Sequence, residues 1–200
     1  MLNKCLFTRV DNSALIVLLI LFGALIALEA FGAIFTGWVD QNLIEPAFTF
    51  NFIGFDFLQP LPGSGMIWYY AVMGVLGVLV MIGFRYRWSM LLYALLWTGV
   101  YLMQKSSYNN HYYLLMLLCY LMVLLPAHRF ASLDVKKDPG IKQYHMPQWC
   151  WILLVGQIWV VYFFGALAKL YPDWLDASVP EILMRSKADY WLIGGMLQQE

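Results

Sequence analysis

The chain has 200 residues, of which 62% are hydrophobic and only 12% charged, and its 12 basic residues are balanced by 12 acidic ones. A soluble domain holds about 25% charged residues, so an ordinary soluble domain is excluded, as is a disordered segment. With no long basic patch the chain is no nucleic-acid binder either. What remains is a single polytopic membrane domain over residues 1–200, surrounded by the lipid bilayer.

A helix that crosses a hydrocarbon core of about 30 Å needs roughly 20 apolar residues. Five segments read this way: Ala14–Phe35, Met66–Phe84, Trp88–Gln104, Tyr112–Leu125 and Trp151–Leu170. They are apolar on every face and lack the alternation of a barrel strand. The expected fold is therefore all-α, a transmembrane bundle of about five spanning helices. Lys4 and Arg9 precede the first segment as in a signal peptide. Its apolar run, however, outlasts the roughly 7–15 residues of a signal h-region and offers no clean cleavage site, so a retained anchor is expected. The fourth segment is short, and its start falls within the Tyr108–Tyr112 run.

The connections differ in charge. The N-terminus (Lys4, Arg9), the second connection (Arg85, Arg87) and the fourth (Arg129, Lys136, Lys137, Lys142) hold eight of the twelve basic residues. These three share one side, so the N-terminus is expected to be cytoplasmic and the segment after Leu170 to lie outside. The first connection, Val39 to Gly65, carries only Asp40, Glu45 and Asp56. It alternates Phe48, Phe50, Phe52, Phe55 and Phe57 before Gln59-Pro60-Leu61-Pro62-Gly63. Such a stretch is either an interfacial aromatic belt or a cover over a cavity mouth. The fourth connection, Ala127–Pro147, reads as a solvated link. No disulfide is expected of Cys5, Cys119 and Cys150. No metal site is expected of His111, His128 and His145, which recur every 17 residues without local ligand spacing.

The informative residues are ionisable groups in or beside lipid. Glu29 lies in the outer half of the first helix, His111 at the outer start of the fourth, and Lys169 at the outer end of the fifth. All three thus fall on one side of the membrane, where one cavity can collect them. Each has a plainer reading: Lys169 snorkels to the interface, His111 is an interfacial hydrogen-bonding group, and Glu29 is a buried structural carboxylate. The functional reading of Lys169 is a desolvated amine, which serves as a general base near neutral pH. Gln157 reads as a helix-packing amide, and Gly74 and Gly77 as a close-packing face.

The strings Tyr108-Asn109-Asn110-His111-Tyr112-Tyr113-Leu114, Ser132-Leu133-Asp134, Gly156-Gln157-Ile158, Val161-Tyr162-Phe163, Lys169-Leu170 and Asp173-Trp174 resemble the signature of the vitamin K-dependent gamma-carboxylase family, or HTTM membrane domain. Phe22-Gly23, Glu29, Pro60-Leu61-Pro62 and Tyr86-Arg87 extend the resemblance over about residues 11–191. It implies a membrane enzyme that couples epoxidation of a reduced vitamin K-like naphthoquinone to carboxylation of protein glutamates, with O2 and CO2 as co-substrates. Lys169 matches the base that deprotonates the hydroquinone, and His111 the assisting imidazole, with Asn110 beside it. Asn109, Gln157 and Glu29 are further candidates for the quinone pocket. A non-catalytic quinone- or lipid-binding protein and a structural subunit stay open beside the enzyme. The family continues past the position of Glu200 with more helices and, in full carboxylases, a large extramembrane domain. A shortened homologue or an N-terminal portion is therefore expected.

Overall fold

The computed structural model describes residues 2–107 and 109–185. Tyr108 of the asparagine-histidine string and the Tyr190-Trp191-Leu192 string lie outside them. The fold is mostly helical, with two short strands. The chain divides after Cys150 into two compact units.

The first unit runs through α1 (Leu2–Phe7), β1 (Arg9–Asp11), α2 (Ser13–Phe35), a wide π turn (Asp40–Ile44), α3 (Gly65–Met81), α4 (Tyr86–Met103), α5 (Asn110–Leu124), the short α6 (Leu133–Lys137) and β2 (His145–Pro147). Helix α7 (Gln148–Leu167) leads into the second unit. A 3-10 turn (Ala168–Leu170), α8 (Pro172–Leu175) and α9 (Ser178–Arg185) follow it. Each of the five apolar segments thus forms one helix. Two stretches, Ser13–Phe35 and Gln148–Leu170, are each long and apolar enough to cross a membrane; Gly65–Met81 and Asn110–Leu124 are shorter apolar helices.

Helices α2 to α5 pack in chain order, each on the next. Small residues set the closest approach. A Cβ on Gly23 would sit 2.4 Å from the Met81 backbone nitrogen, one on Gly77 2.7 Å from that of Ala27, and one on Gly74 2.5 Å from the Phe31 ring. Positions rising along α2 meet positions falling along α3, so the two helices are antiparallel. The expected close-packing face at Gly74 and Gly77 is this contact. Between apolar helices in lipid such backbone proximity, not hydrophobic exclusion, drives association.

The largest buried side chains are tyrosines with satisfied hydroxyls. Tyr93 donates to the Ile26 carbonyl at 3.0 Å and Tyr86 to that of Met122 at 2.5 Å. Each phenol therefore ties α4 to a neighbouring helix without leaving a buried donor unpaired.

Three features depart from expectation. Helix α3 stops at Met81 instead of Phe84, because the chain turns at Gly83 with φ 64°, a conformation open to glycine. The fourth connection is largely exposed, as expected of a solvated link, but it is also anchored to the helices. Leu133 and Asp134 donate their backbone N–H groups to the carbonyls of Ile82 and Gly83 (2.9 and 3.1 Å), and Ser132, Val135 and Met146 are buried. The Asp134 carboxylate accepts from the backbone N–H groups of Arg85 (2.7 Å) and Tyr86 (3.0 Å), capping α4 from a distant loop. Finally, β1 pairs antiparallel with β2, Arg9 opposite Pro147 and Asp11 opposite His145. A three-residue pairing across that separation leaves no periodic trace in the sequence.

Of the twenty residues of α7 only Cys150, the last residue of the first unit, is buried, so none of its residues in the second unit is. Trp159, Phe163 and Phe164 are exposed, and the Trp159 and Phe163 rings stack at 4.9 Å. So much bare apolar surface requires lipid or protein around it. The Asp176 carboxylate accepts from the Ser178 N–H at 3.0 Å, and these hydrogen bonds hold it below the usual carboxylate range.

Candidate functional site

A cavity of about 270 Å³ opens in the first unit among α2, α3, α4 and α5. Helix α2 contributes Glu29, Gly32 and Ala33, followed by its capping residue Thr36; α4 contributes Trp97, Val100, Tyr101 and Gln104. Both sets recur at intervals of three and four residues, so each lines one helix face. Trp38, Tyr70, Ser107 and Tyr112 close the wall. The volume lies just under the roughly 300–1,000 Å³ of typical small-molecule sites, and the mix of apolar and aromatic walls with a few polar groups is characteristic of them.

Glu29 is the carboxylate of this wall. It lies near the Tyr112 and Tyr70 phenols, which line the same cavity. Tyr112 is held by its own backbone: the Trp97 indole N–H donates to its carbonyl at 3.2 Å, and the two rings meet edge-on at 5.3 Å. The Gln104 amide is engaged at both ends. Its Nε2 donates to the Asn42 carbonyl at 2.9 Å and its Oε1 accepts from the Phe50 N–H at 3.1 Å. It therefore ties the outer connection to α4.

The phenylalanine-rich connection meets the cavity wall through that amide. Phe52 donates its N–H to the Leu102 carbonyl at 3.2 Å and stacks on Tyr101 at 5.3 Å. The Lys105 Nζ lies 5.7 Å from the Phe52 ring. Of the two readings of this stretch, the portion at Phe50–Phe52 is tied to residues lining the cavity, whereas Phe48 and Phe57 stay largely exposed.

The asparagine-histidine string starts α5, immediately before Tyr112. Asn109 is the N-cap residue: its Oδ1 accepts from the His111 backbone N–H at 2.8 Å and lies 2.8 Å from the His111 Nδ1. Because the backbone N–H can only donate, the atom it meets is an acceptor, and an acceptor bonded to Nδ1 requires that nitrogen to carry a proton. In neutral His111 the lone pair is therefore on Nε2, an arrangement that presents a base outward.

Of the six residues singled out from sequence, Glu29 lies in the cavity wall, while Asn109, Asn110 and His111 form the exposed start of α5 next to it. Gln157 and Lys169 belong to the second unit. Gln157 is half-buried on α7; Lys169 is exposed in the turn that follows, with Nζ 5.3 Å from the Trp174 ring. Sequence reasoning missed Tyr70, Tyr112, Trp97, Tyr101 and Gln104. The Trp97, Tyr101, Gln104 spacing was the available signal, ending on an amide at a helix terminus in an otherwise apolar stretch.

Fold and cavity together define the class: an apolar helical protein holding a carboxyl-bearing aromatic cavity between its helices. The sequence profile of the HTTM domain matches residues 7–200. The chain belongs to the HTTM family, the membrane-associated domain of vitamin K-dependent carboxylases. No solved structure matches it.

Proposed function

We propose that this chain is a multi-pass membrane protein, N-terminus in the cytoplasm, that crosses the bilayer about five times and binds a reduced vitamin K-like naphthoquinone in the α2–α4–α5 cavity near the outer face. The observation that carries the reading is the cavity wall. Trp38, Trp97, Tyr101 and Tyr112 offer faces and edges to a flat bicyclic ring, and Glu29 and Tyr112 offer hydrogen-bonding groups to its oxygens. When bound, the hydroquinone reduces O2, one oxygen atom ending in the epoxide and the other in water. In carboxylases of the family that oxidation is coupled to addition of CO2 to glutamates of a protein substrate.

The chain's own residues have separate tasks in this reading. Lys169, by its resemblance to the family's base, takes the hydroquinone proton in this reading. Asn109 holds His111 with its proton on Nδ1, so Nε2 is the atom that accepts or relays a proton. Asn110 stands beside it at the start of α5. Glu29 orients the ring oxygens, and Gln104 keeps the Phe50–Phe52 segment over the wall. Gln157 is proposed with them by its resemblance to the family motif.

A second reading has its own support. Lys169 is exposed, so the desolvated amine that base catalysis near neutral pH asks for exists only when lipid or ligand covers it. A quinone-binding protein without turnover meets the cavity geometry equally well. The separating experiment supplies a reduced naphthoquinone and O2 to the full chain in lipid and measures the epoxide. The enzyme reading expects epoxide from the wild type and a fall of about 10²- to 10⁴-fold in Lys169→Ala. Binding without epoxide in the wild type selects the second reading, and equal turnover in Lys169→Ala removes Lys169 from the chemistry.

A further inference from the structure

A second concavity of the first unit, about 520 Å³, lies away from the aromatic cavity and has the opposite electrostatic character. Arg9, Arg87, Arg129 and Lys142 line it together with His145, and its lining contains no aspartate or glutamate. These cations come from the three basic stretches of the sequence. Strand pairing places Arg9 opposite Pro147, and the backbone N–H of Gln143 donates to the Arg129 carbonyl at 2.7 Å, so the fold itself assembles them.

The partners these cations do have are neutral. Arg129 donates from Nη1 to the Gln143 Oε1 at 2.8 Å, and the Lys142 Nζ lies 5.0 Å and 5.4 Å from the Phe130 and Tyr144 rings. The nearby carboxylates are used elsewhere. Asp134 caps α4, and Asp11, close enough to act on His145, accepts from the Ser13 N–H at 2.8 Å. Phe7, Trp149 and Tyr144 add aromatic rings to the same wall. Converging cations with neutral partners call for an external anion, and guanidinium groups match the geometry of phosphate oxygens.

We propose that this concavity binds a phosphate group. It rests on the membrane reading only in the choice between the two sources of that phosphate: the headgroup of an anionic phospholipid, or a soluble phosphate. Basic pockets between helices at the cytoplasmic surface hold anionic headgroups, each Lys or Arg contributing about fivefold in affinity.

The test uses the full chain reconstituted in phosphatidylcholine nanodiscs, with thermal stability as readout. One arm replaces part of the lipid with phosphatidylglycerol, and another adds inorganic phosphate to pure phosphatidylcholine. The expected result is stabilisation that Arg87→Gln/Arg129→Gln abolishes and Lys136→Gln/Lys137→Gln, in the same connection but outside the concavity, preserves. Stabilisation by phosphatidylglycerol alone assigns the headgroup; equal stabilisation by inorganic phosphate assigns a soluble ligand. No stabilisation in either arm, or an equal response in both double variants, overturns the site. Arg9→Gln and Lys142→Gln, each expected to raise roughly fivefold the phosphatidylglycerol or phosphate concentration that gives a set stabilisation, decide the matter if the double variant does not fold.

Discussion

His128 lies in the connection after α5, stacked on Tyr86 at 5.1 Å, with its Nδ1 buried and without a hydrogen-bond partner. Burial lowers its pKa; Asp134 opposes that, and Arg87 and Arg129 add to it. The folded state therefore disfavours the imidazolium more than the unfolded chain does. The resulting stability is fully present above the ordinary value of about 6.5 and is lost as pH falls through it toward the lowered folded pKa. We expect thermal stability to fall as pH drops below about 6.5, and His128→Phe to flatten that fall. A slope unchanged in His128→Phe assigns the acid sensitivity elsewhere. At this scale the sequence was partly legible. Glu29 stood out because a carboxylate inside an apolar helix has few uses, and it does line a cavity. The aromatic wall did not stand out, since Trp97 and Tyr101 at helical spacing look the same whether they fill a core or face a ligand.

At the scale of elements, the α2–α3 contact is the most extensive helix pairing in the first unit. The Cβ of a Gly77→Ala variant would lie 2.7 Å from the Ala27 backbone nitrogen, and backbone cannot rotate out of the way as a side chain can. The helices must separate, at a cost of about 1–3 kcal/mol by the usual scale of overpacking. Gly156→Ala on α7, where a Cβ meets nothing within 4 Å, serves as the control and should leave stability unchanged or slightly raised. Chemical denaturation in detergent separates the two, and equal stabilities would mean that the small residues do not set the helix spacing. The helices themselves were readable from apolar runs, because length and composition alone determine where a chain can bury twenty residues. Their ends were not. Helix α4 is capped by Asp134, almost fifty positions away, so Ser132-Leu133-Asp134, met first as a family motif, is in part a device for joining the loop to the α3–α4 turn.

Over the whole molecule, composition pointed to a membrane protein and the motifs pointed to the HTTM family, which the match over residues 7–200 establishes. The site was harder to see, because its wall is assembled from four helices and a connection tied to them by non-local hydrogen bonds. Gly32 gives direct access to it. Its Cα faces the cavity, and a Cβ there would meet nothing within 4 Å, so a large side chain fits the helix and occupies the ligand's space. Trp38 and Trp97 in the same wall supply the signal. The decisive measurement is a titration of the wild type and Gly32→Phe with a reduced naphthoquinone, followed by tryptophan fluorescence in lipid nanodiscs. The account predicts saturable quenching in the wild type and its loss in a Gly32→Phe protein of unchanged helicity; saturable quenching of equal affinity in both would place the quinone elsewhere and contradict it.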